Sequence, residues 1–383
     1  MKTLPYIFLL WAGCAVSAFS QNETSTRNII LVTLDGLRWQ EVFTGANKKL
    51  VKDKDYVENP QELKNKYWND DPDERRKILM PFMWSTIATE GQIYGNRKYQ
   101  NCVNLTNRYW FSYPGYNEIL TGIRNDKTIY SNKKRNNPNV TILEYLNSLP
   151  AYHNQVAAVS SWDLFPYILN VKRSGLFVNA GNQIITKDPL TDEEKELNSI
   201  EEEVTSPKAD RPDVLTYLYA MEYLKKYTPK MMFISYGETD DLAHAGRYDE
   251  YLDAIHHIDH YIEELWNFIQ SNDQYRNKTT LIITTDHGRG CLFRNSWMNH
   301  GSLTPGSGQT WFAVMGPDTS PKGEIKTAGQ LYQNQLARTM AAFLNVNFDL
   351  YKKEGAVVSQ VIQKGMHPNE KLANRIVNLP DKQ

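Results

Sequence analysis

A chain of 383 residues, 41% of them hydrophobic, can form one large domain or two medium ones around a substantial core. Its 43 Lys and Arg balance 44 Asp and Glu to a formal net charge of -1, which offers no basic excess for nucleic acid as a bulk partner and no acidic tail. One anionic small molecule stays compatible with that balance, because local charge need not appear in the total.

Lys2 precedes an apolar stretch from Leu4 to about Ala18, and Ala18-Phe19-Ser20 before Gln21 has the small-residue pattern of a processing site. The expectation is a signal peptide over residues 1–20 and an exported chain, periplasmic or secreted, over 21–383. A lipoprotein anchor on Cys14 is the weaker alternative, since Trp11 poorly suits the start of such a recognition box. No later run approaches the ~20 apolar residues of a membrane span. Cys102 and Cys291 would remain, free to pair or to stay as thiols. Asn22, Asn104, Asn139 and Asn277 each open an Asn-x-Thr sequon.

Short apolar runs bounded by polar, Gly or Pro residues predict strands at 28–34, 155–160, 231–236, 279–285 and 310–315. Helical spacing fills the intervals. Apolar positions 214, 215, 218, 221 and 224 predict a helix over 213–227, and 251, 252, 255, 258, 262, 265 and 269 predict one over 248–269. A looser pattern covers 331–344. Such alternation points to a single α/β domain, a three-layer sandwich with a mainly parallel central sheet and helices on both faces. The densely charged stretch 47–77 and the stretch 172–211, with its acidic run 192–203, read as cap-like insertions in that domain.

Functional groups in an open α/β sheet gather at the carboxyl ends of its strands. Asp35, Asp240, Asp286 and His287 all fall within a few residues of such ends. Alone, each is an ordinary turn or capping residue; together they are hard ligands for divalent cations. Asp240 and His244 stand four residues apart, able to meet one cation with His300 completing the set. Asp286 and His287 are adjacent, so an irregular turn is needed to bring both to one side. Ser112, in Trp110-Phe111-Ser112-Tyr113-Pro114, is the candidate nucleophile, with a helix N-cap as its plain structural role. His256 and His260, one helical turn apart, form a rival metal pair, but His257 stands where a metalloprotease needs its Glu, and a solvated helix face explains them better. Of the aromatics around Ser112 (Trp39, Trp110, Phe111, Tyr113, Tyr116), several read as core, with one or two left to stack on a leaving group. Arg38, Arg124, Arg289 and Arg294 are candidate phosphate contacts.

Asp35 after a strand, a hydroxyl residue with Pro two positions on, Asp-x-x-x-His, Asp-His-Gly and a later His, in that order, resemble the alkaline phosphatase superfamily. The nearest branch is that of type I phosphodiesterases and nucleotide pyrophosphatases, with cofactor-independent phosphoglycerate mutases more distant. The resemblance spans about residues 28–344. It implies two divalent metal ions of the zinc type, one held by Asp240, His244 and His300, the other by Asp35, Asp286 and His287 with Ser112 Oγ. It also implies attack of Ser112 on a phosphoryl group and a seryl-phosphate intermediate released by water. Two positions depart from the pattern. The branch usually has Thr as nucleophile and Asn three residues later, where this chain has Ser112 and Gly115, so the donor to the nonbridging oxygen is either missing or replaced by Asn117 or a backbone N–H. Sulfatases need Arg four residues after the modified residue, where Tyr116 stands. The expected activity is hydrolysis of a small phosphoric ester, diester or monoester. Sulfatase, phosphonate hydrolase or phosphoryl transferase are the enzymatic alternatives, and a metal-binding homologue without turnover is the non-enzymatic one.

Overall fold

A computed structural model describes residues 24–187, 189–204 and 210–363. The expected signal peptide and Cys14 lie outside these residues. The strands among them are β1 (Asn28–Leu34), β2 (Gln92–Tyr94), β3 (Asn101–Asn104), β4 (Val156–Ser160), β5 (Phe177–Ala180), β6 (Met231–Tyr236), β7 (Thr279–Thr284), β8 (Gln309–Thr310), β9 (Phe312–Met315), β10 (Gly323–Glu324) and β11 (Gly329–Tyr332). Eight form a sheet in the order β10-β2-β9-β7-β1-β6-β4-β5, and β11-β3-β8 form a small second sheet. The central run β7-β1-β6-β4-β5 is parallel throughout, whereas β9 is antiparallel to both neighbours.

Every residue of β1 is buried, which is why the strand reads as a continuous apolar run rather than an alternating one. Ile30, Val32 and Leu34 face one core and Ile29 and Leu31 the other, so the strand's two-residue period feeds both sides of the sheet. The first core is closed by the helices Asp213–Tyr227 and Tyr248–Ser271, through Tyr219, Leu224, Tyr251, Ile255 and Ile258. The second is closed by Ser112–Thr121, Ile142–Ser148 and Leu336–Phe343, through Tyr116, Ile119, Leu143, Leu146 and Met340. This is the expected three-layer α/β sandwich.

Two predicted elements divide where one segment serves two sheets. The run 310–315 breaks at Trp311, whose Nε1 donates to Leu37 O at 3.0 Å; β8 before it joins the small sheet and β9 after it the large one. The helix expected over 331–344 begins only at Leu336, because the residues before it pair as β11 and then turn to bury Gln333. Gln333 Nε2 donates to Thr284 Oγ1 at 2.8 Å and Thr285 O at 3.0 Å, pinning the end of β7. The stretch 47–77 lays Leu50, Val51, Val57, Leu63 and Tyr67 into the first core. The stretch 172–211 supplies edge strand β5 and the helix Asp192–Glu203, which buries Leu197 in the same core.

Among the described residues no helix is long and apolar enough to cross a membrane, and Cys102 and Cys291 are free thiols. Asn139 is buried, with its amide donating to Asn117 Oδ1 at 2.8 Å, so its sequon is closed to modification in the folded chain.

Asp259 of the helix Tyr248–Ser271 ties that helix to the segment before β2 by accepting Phe82 N at 2.7 Å and Met83 N at 3.0 Å. Burial outweighs those two donors and pushes its carboxyl up to about 7. The folded chain then keeps a proton that the unfolded chain releases near pH 4, so this group's contribution to stability is lost as pH rises from about 4 through 7. Urea titrations across that window should show wild type weakening with pH, and Asp259→Asn lacking that part of the slope; equal slopes in both proteins would exclude the assignment.

Candidate metal centre

Strands β7, β1 and β6 are neighbours and parallel, so their carboxyl ends open on one edge. β1 delivers Asp35, and the turn after it needs Gly36, which has φ 61° and whose missing Cβ would lie 2.8 Å from Asp240 Oδ1. β6 runs through Gly237 into the helix Glu238–His244, which sets Asp240 and His244 one turn apart on one face, with Oδ2 and Nε2 at 3.2 Å. β7 ends at Thr284, so Asp286 and His287 lie outside the strand in the irregular turn their adjacency requires. Asp286 Oδ1 accepts Gly36 N at 3.0 Å, which locks the β7 turn to the β1 turn.

His287 Nδ1 lies 2.9 Å from Gly288 O. A carbonyl only accepts, so Nδ1 carries the proton and Nε2 presents its lone pair. That Nε2 is 3.3 Å from Asp35 Oδ1, 3.5 Å from Asp286 Oδ2 and 3.4 Å from Ser112 Oγ. Asp35 Oδ1 and Asp286 Oδ2 are buried and have no hydrogen-bond partner among the described residues. Burial and the neighbouring carboxylates push both carboxyls well above the usual range. The residues present fit a divalent cation, which held there would neutralise the repulsion and take up both bare oxygens.

A second cluster adjoins the first. His300 Nε2 lies 3.0 Å from His244 Nε2 and 3.7 Å from Asp240 Oδ1, with His300 Nδ1 3.1 Å from Trp110 O. Ligand atoms of Asp240, His244 and His300 all fall within 4.8 Å of one another, as do those of Asp35, Asp240 and His287. Asp240 is therefore common to both, and the His287 and His300 rings stack at 3.9 Å. Burial pushes the Asp240 carboxyl up, but the Arg289 guanidinium, His244, His300 and His287 outweigh it and hold the carboxylate ionised. Burial, with His287, pushes His300 down to about 2, keeping it a neutral ligand. Five of the six expected ligands fall in these two groups, and Asp286 adjoins the one with Asp35 and His287, its Oδ2 3.5 Å from His287 Nε2. Neither cluster includes His256 or His260: His256 Nδ1 meets Leu79 O at 3.0 Å, and His260 lies against Glu263 and Glu264.

Ser112 opens the helix Ser112–Thr121 at its first position, with Phe111 as the N-cap, so its hydroxyl faces His287 rather than capping the helix. The substrate-binding role expected of Asn117 is corrected. Five residues along, it is buried on the opposite side, donating to Ile123 O at 2.8 Å and accepting from Asn139 and Asn137. Gly115 has its own reason: a Cβ there would lie 2.2 Å from Asp286 O, so no side chain fits between the helix and the metal turn. The amide missed from sequence is Asn132, whose Oδ1 accepts Tyr113 N at 3.0 Å beside the nucleophile. It sits in a Lys- and Asn-rich loop with no periodicity to mark it.

The candidate arginines are each paired with a carboxylate. Arg38 pairs with Glu41, Arg124 with Asp126, Arg294 with Asp53 and Asp55, and Arg289 with Asp240. Tyr116, expected at best to stack, donates its hydroxyl to Asp35 Oδ2 at 3.0 Å and meets Ser235 Oγ at 3.1 Å.

A family model described as type I phosphodiesterase / nucleotide pyrophosphatase matches residues 48–379. A 2,3-bisphosphoglycerate-independent phosphoglycerate mutase of Gracilaria tenuistipitata var. liui is 29% identical over 119 residues, 29% of this chain and 20% of that protein. The chain thus matches about a fifth of the length of that curated relative. The fold is similar to that of the alkaline phosphatase PafA (TM-score 0.56, 10% identity, 89% of this chain and 99% of that one). It is also similar to a 2-O GAG sulfatase (0.55, 13%, 90% and 76%) and to murine ectonucleotide pyrophosphatase/phosphodiesterase 5, solved as an inactive variant with AMP (0.51, 13%, 88% and 100%).

Removing the Tyr116 hydroxyl would leave a buried Asp35 oxygen without its donor. Tyr116→Phe should cost about 1–3 kcal/mol in the metal-free protein and weaken divalent-metal binding about tenfold, read by denaturation and by chelator competition. Wild-type metal affinity in this variant would remove Tyr116 from the centre.

Proposed function

From the premise that this chain belongs to the type I phosphodiesterase/nucleotide pyrophosphatase family, and is a phosphoester hydrolase, we propose an exported dinuclear-metal enzyme acting through a seryl phosphate on Ser112. The observation that carries the reading is the placement of Ser112 Oγ 3.4 Å from His287 Nε2, beside two carboxylate oxygens that have no hydrogen-bond partner among the described residues. Export is supported by the residue pattern of the first 20 positions.

Asp240, His244 and His300 would hold one cation, and Asp35, Asp286, His287 and Ser112 Oγ the other. Three imidazoles among carboxylates favour zinc over calcium or magnesium. Bound there, the pair supplies positive charge that lowers the hydroxyl's pKa and offsets charge growing on the phosphoryl oxygens.

Ser112 Oγ then attacks phosphorus. Its new O–P bond forms as the ester bond breaks, and the leaving oxygen departs with the bonding electrons and takes up, through solvent, the proton that Ser112 gives up. Water attacks the seryl phosphate in turn, the Ser112 O–P bond breaks, and a proton returns to Ser112. Asn132 contributes an amide N–H to a nonbridging oxygen, its own Oδ1 being committed to Tyr113 N. The N-terminal end of the Ser112 helix adds its dipole at the same place. The substrate is a small phosphoric ester, a diester by the family's name. Hydrolysis of sulfate esters is disfavoured by Tyr116, which occupies the sulfatase Arg position with its hydroxyl already bound to Asp35 and Ser235.

Ser112→Ala should lower turnover of an aryl phosphodiester by on the order of 10³-fold or more, and Asn132→Ala by about 10²-fold in kcat. Chelation should abolish activity, and zinc should restore it. Undiminished turnover in Ser112→Ala, or a wild-type protein that binds no metal, defeats the reading.

A further inference from the structure

His300 reaches the centre from a loop, and its Nδ1 lies 3.1 Å from one backbone carbonyl, Trp110 O. Because that carbonyl only accepts, the contact requires the proton on Nδ1 and leaves Nε2 as the lone-pair donor facing His244 and Asp240. Trp110 presents its carbonyl from a left-handed backbone, φ 51°, which is uncommon for a bulky residue and persists where its surroundings impose it.

Those surroundings are specific. Asn107 Oδ1 accepts Trp110 N at 2.9 Å and Tyr109 N at 3.0 Å, folding the segment back on itself. Asn107 is buried, and its side chain also interacts with the Glu118 carboxylate, which holds the Oδ1 toward the turn. The base of the turn is fixed by Glu118, six residues beyond Ser112 on the same helix. Its carboxylate accepts Thr106 N at 3.0 and 2.9 Å, Thr106 Oγ1 at 2.6 Å and Asn107 N. The Trp110 indole completes the clamp by lying across Gly308, where a Cβ would come within 2.7 Å of Nε1.

Resting on the two-metal reading above, we propose that Asn107, anchored by Glu118, is a positioning residue that sets the metal-binding tautomer of His300 through the Trp110 carbonyl. Ser112 and Glu118 share one helix, so the element that carries the nucleophile also aims a ligand of the opposite cation. A shift of that helix would disturb both together.

The test reads tautomer and metal binding rather than turnover. Nitrogen-15 imidazole spectra of metal-free wild type at pH 8 should show His300 protonated on Nδ1; a proton on Nε2 overturns the proposal. Asn107→Ala should bind one of two zinc equivalents 10–100-fold more weakly in chelator competition and mix the His300 tautomers. Asn107→Ser, whose hydroxyl can accept the same turn N–H groups, should recover most of both. If Asn107→Ala binds two zinc equivalents with wild-type affinity, the proposal fails even where its melting temperature has dropped. Should Asn107→Ala not fold, the wild-type tautomer and Asn107→Ser decide. Wild type that binds no zinc would defeat the two-metal reading instead, and the tautomer would still judge this one.

Discussion

Two carboxylate oxygens with no donor among the described residues, buried at the ends of neighbouring parallel strands, organise much of the rest. A sheet that places Asp35 and Asp286 side by side must bear their repulsion, and protonation or a cation are the physical remedies. The surrounding contacts favour the second remedy. His287 has its proton committed to Gly288 O and its lone pair turned inward; Gly36 N and the Tyr116 hydroxyl hold the carboxylates by their other oxygens. These contacts cost conformational freedom, and a site meant to stay protonated would not need them.

The fold was legible where burial is two-sided. β1, β6 and β7 are continuous apolar runs because helices cover both faces, and polar residues within a few positions of their ends mark the site edge. The helix Tyr248–Ser271 announced itself by an unbroken stripe. What escaped was short or shared. β2, β5, β10 and β11 have two to four residues each and lie near or at sheet edges, too brief for periodicity to register. The break at Trp311 follows from the neighbours of β8 and β9, which lie far away in sequence.

The site divided in a similar way. Asp35, Asp240, His244, Asp286, His287 and His300 were readable because ligand chemistry limits residue type, and strand ends limit place. Asn117 was misplaced because spacing from Ser112 was judged without the helix's rotation, which carries a residue five positions on to the far side. Asn132 was invisible for the converse reason: it depends on a loop folding back onto the helix start, and no local pattern encodes that. Arg289 drew attention by its charge, and its guanidinium meets Asp240.

That last contact has a bearing on how the centre is assembled. Arg289 Nε donates to Trp297 O at 2.7 Å and its NH2 group to Met298 O at 2.6 Å, while its remaining nitrogen meets Asp240. The side chain is fully buried and joins the carboxylate common to both clusters to the loop that returns His300. A resident guanidinium thus stands in as counter-ion before any metal arrives. In domains that lack such a stand-in, ligand repulsion keeps the empty chain open and metal uptake doubles as folding. Here Asp240 already has a buried guanidinium beside it, so on the two-metal proposal the cage would be braced from within and the architecture would stand without its cations.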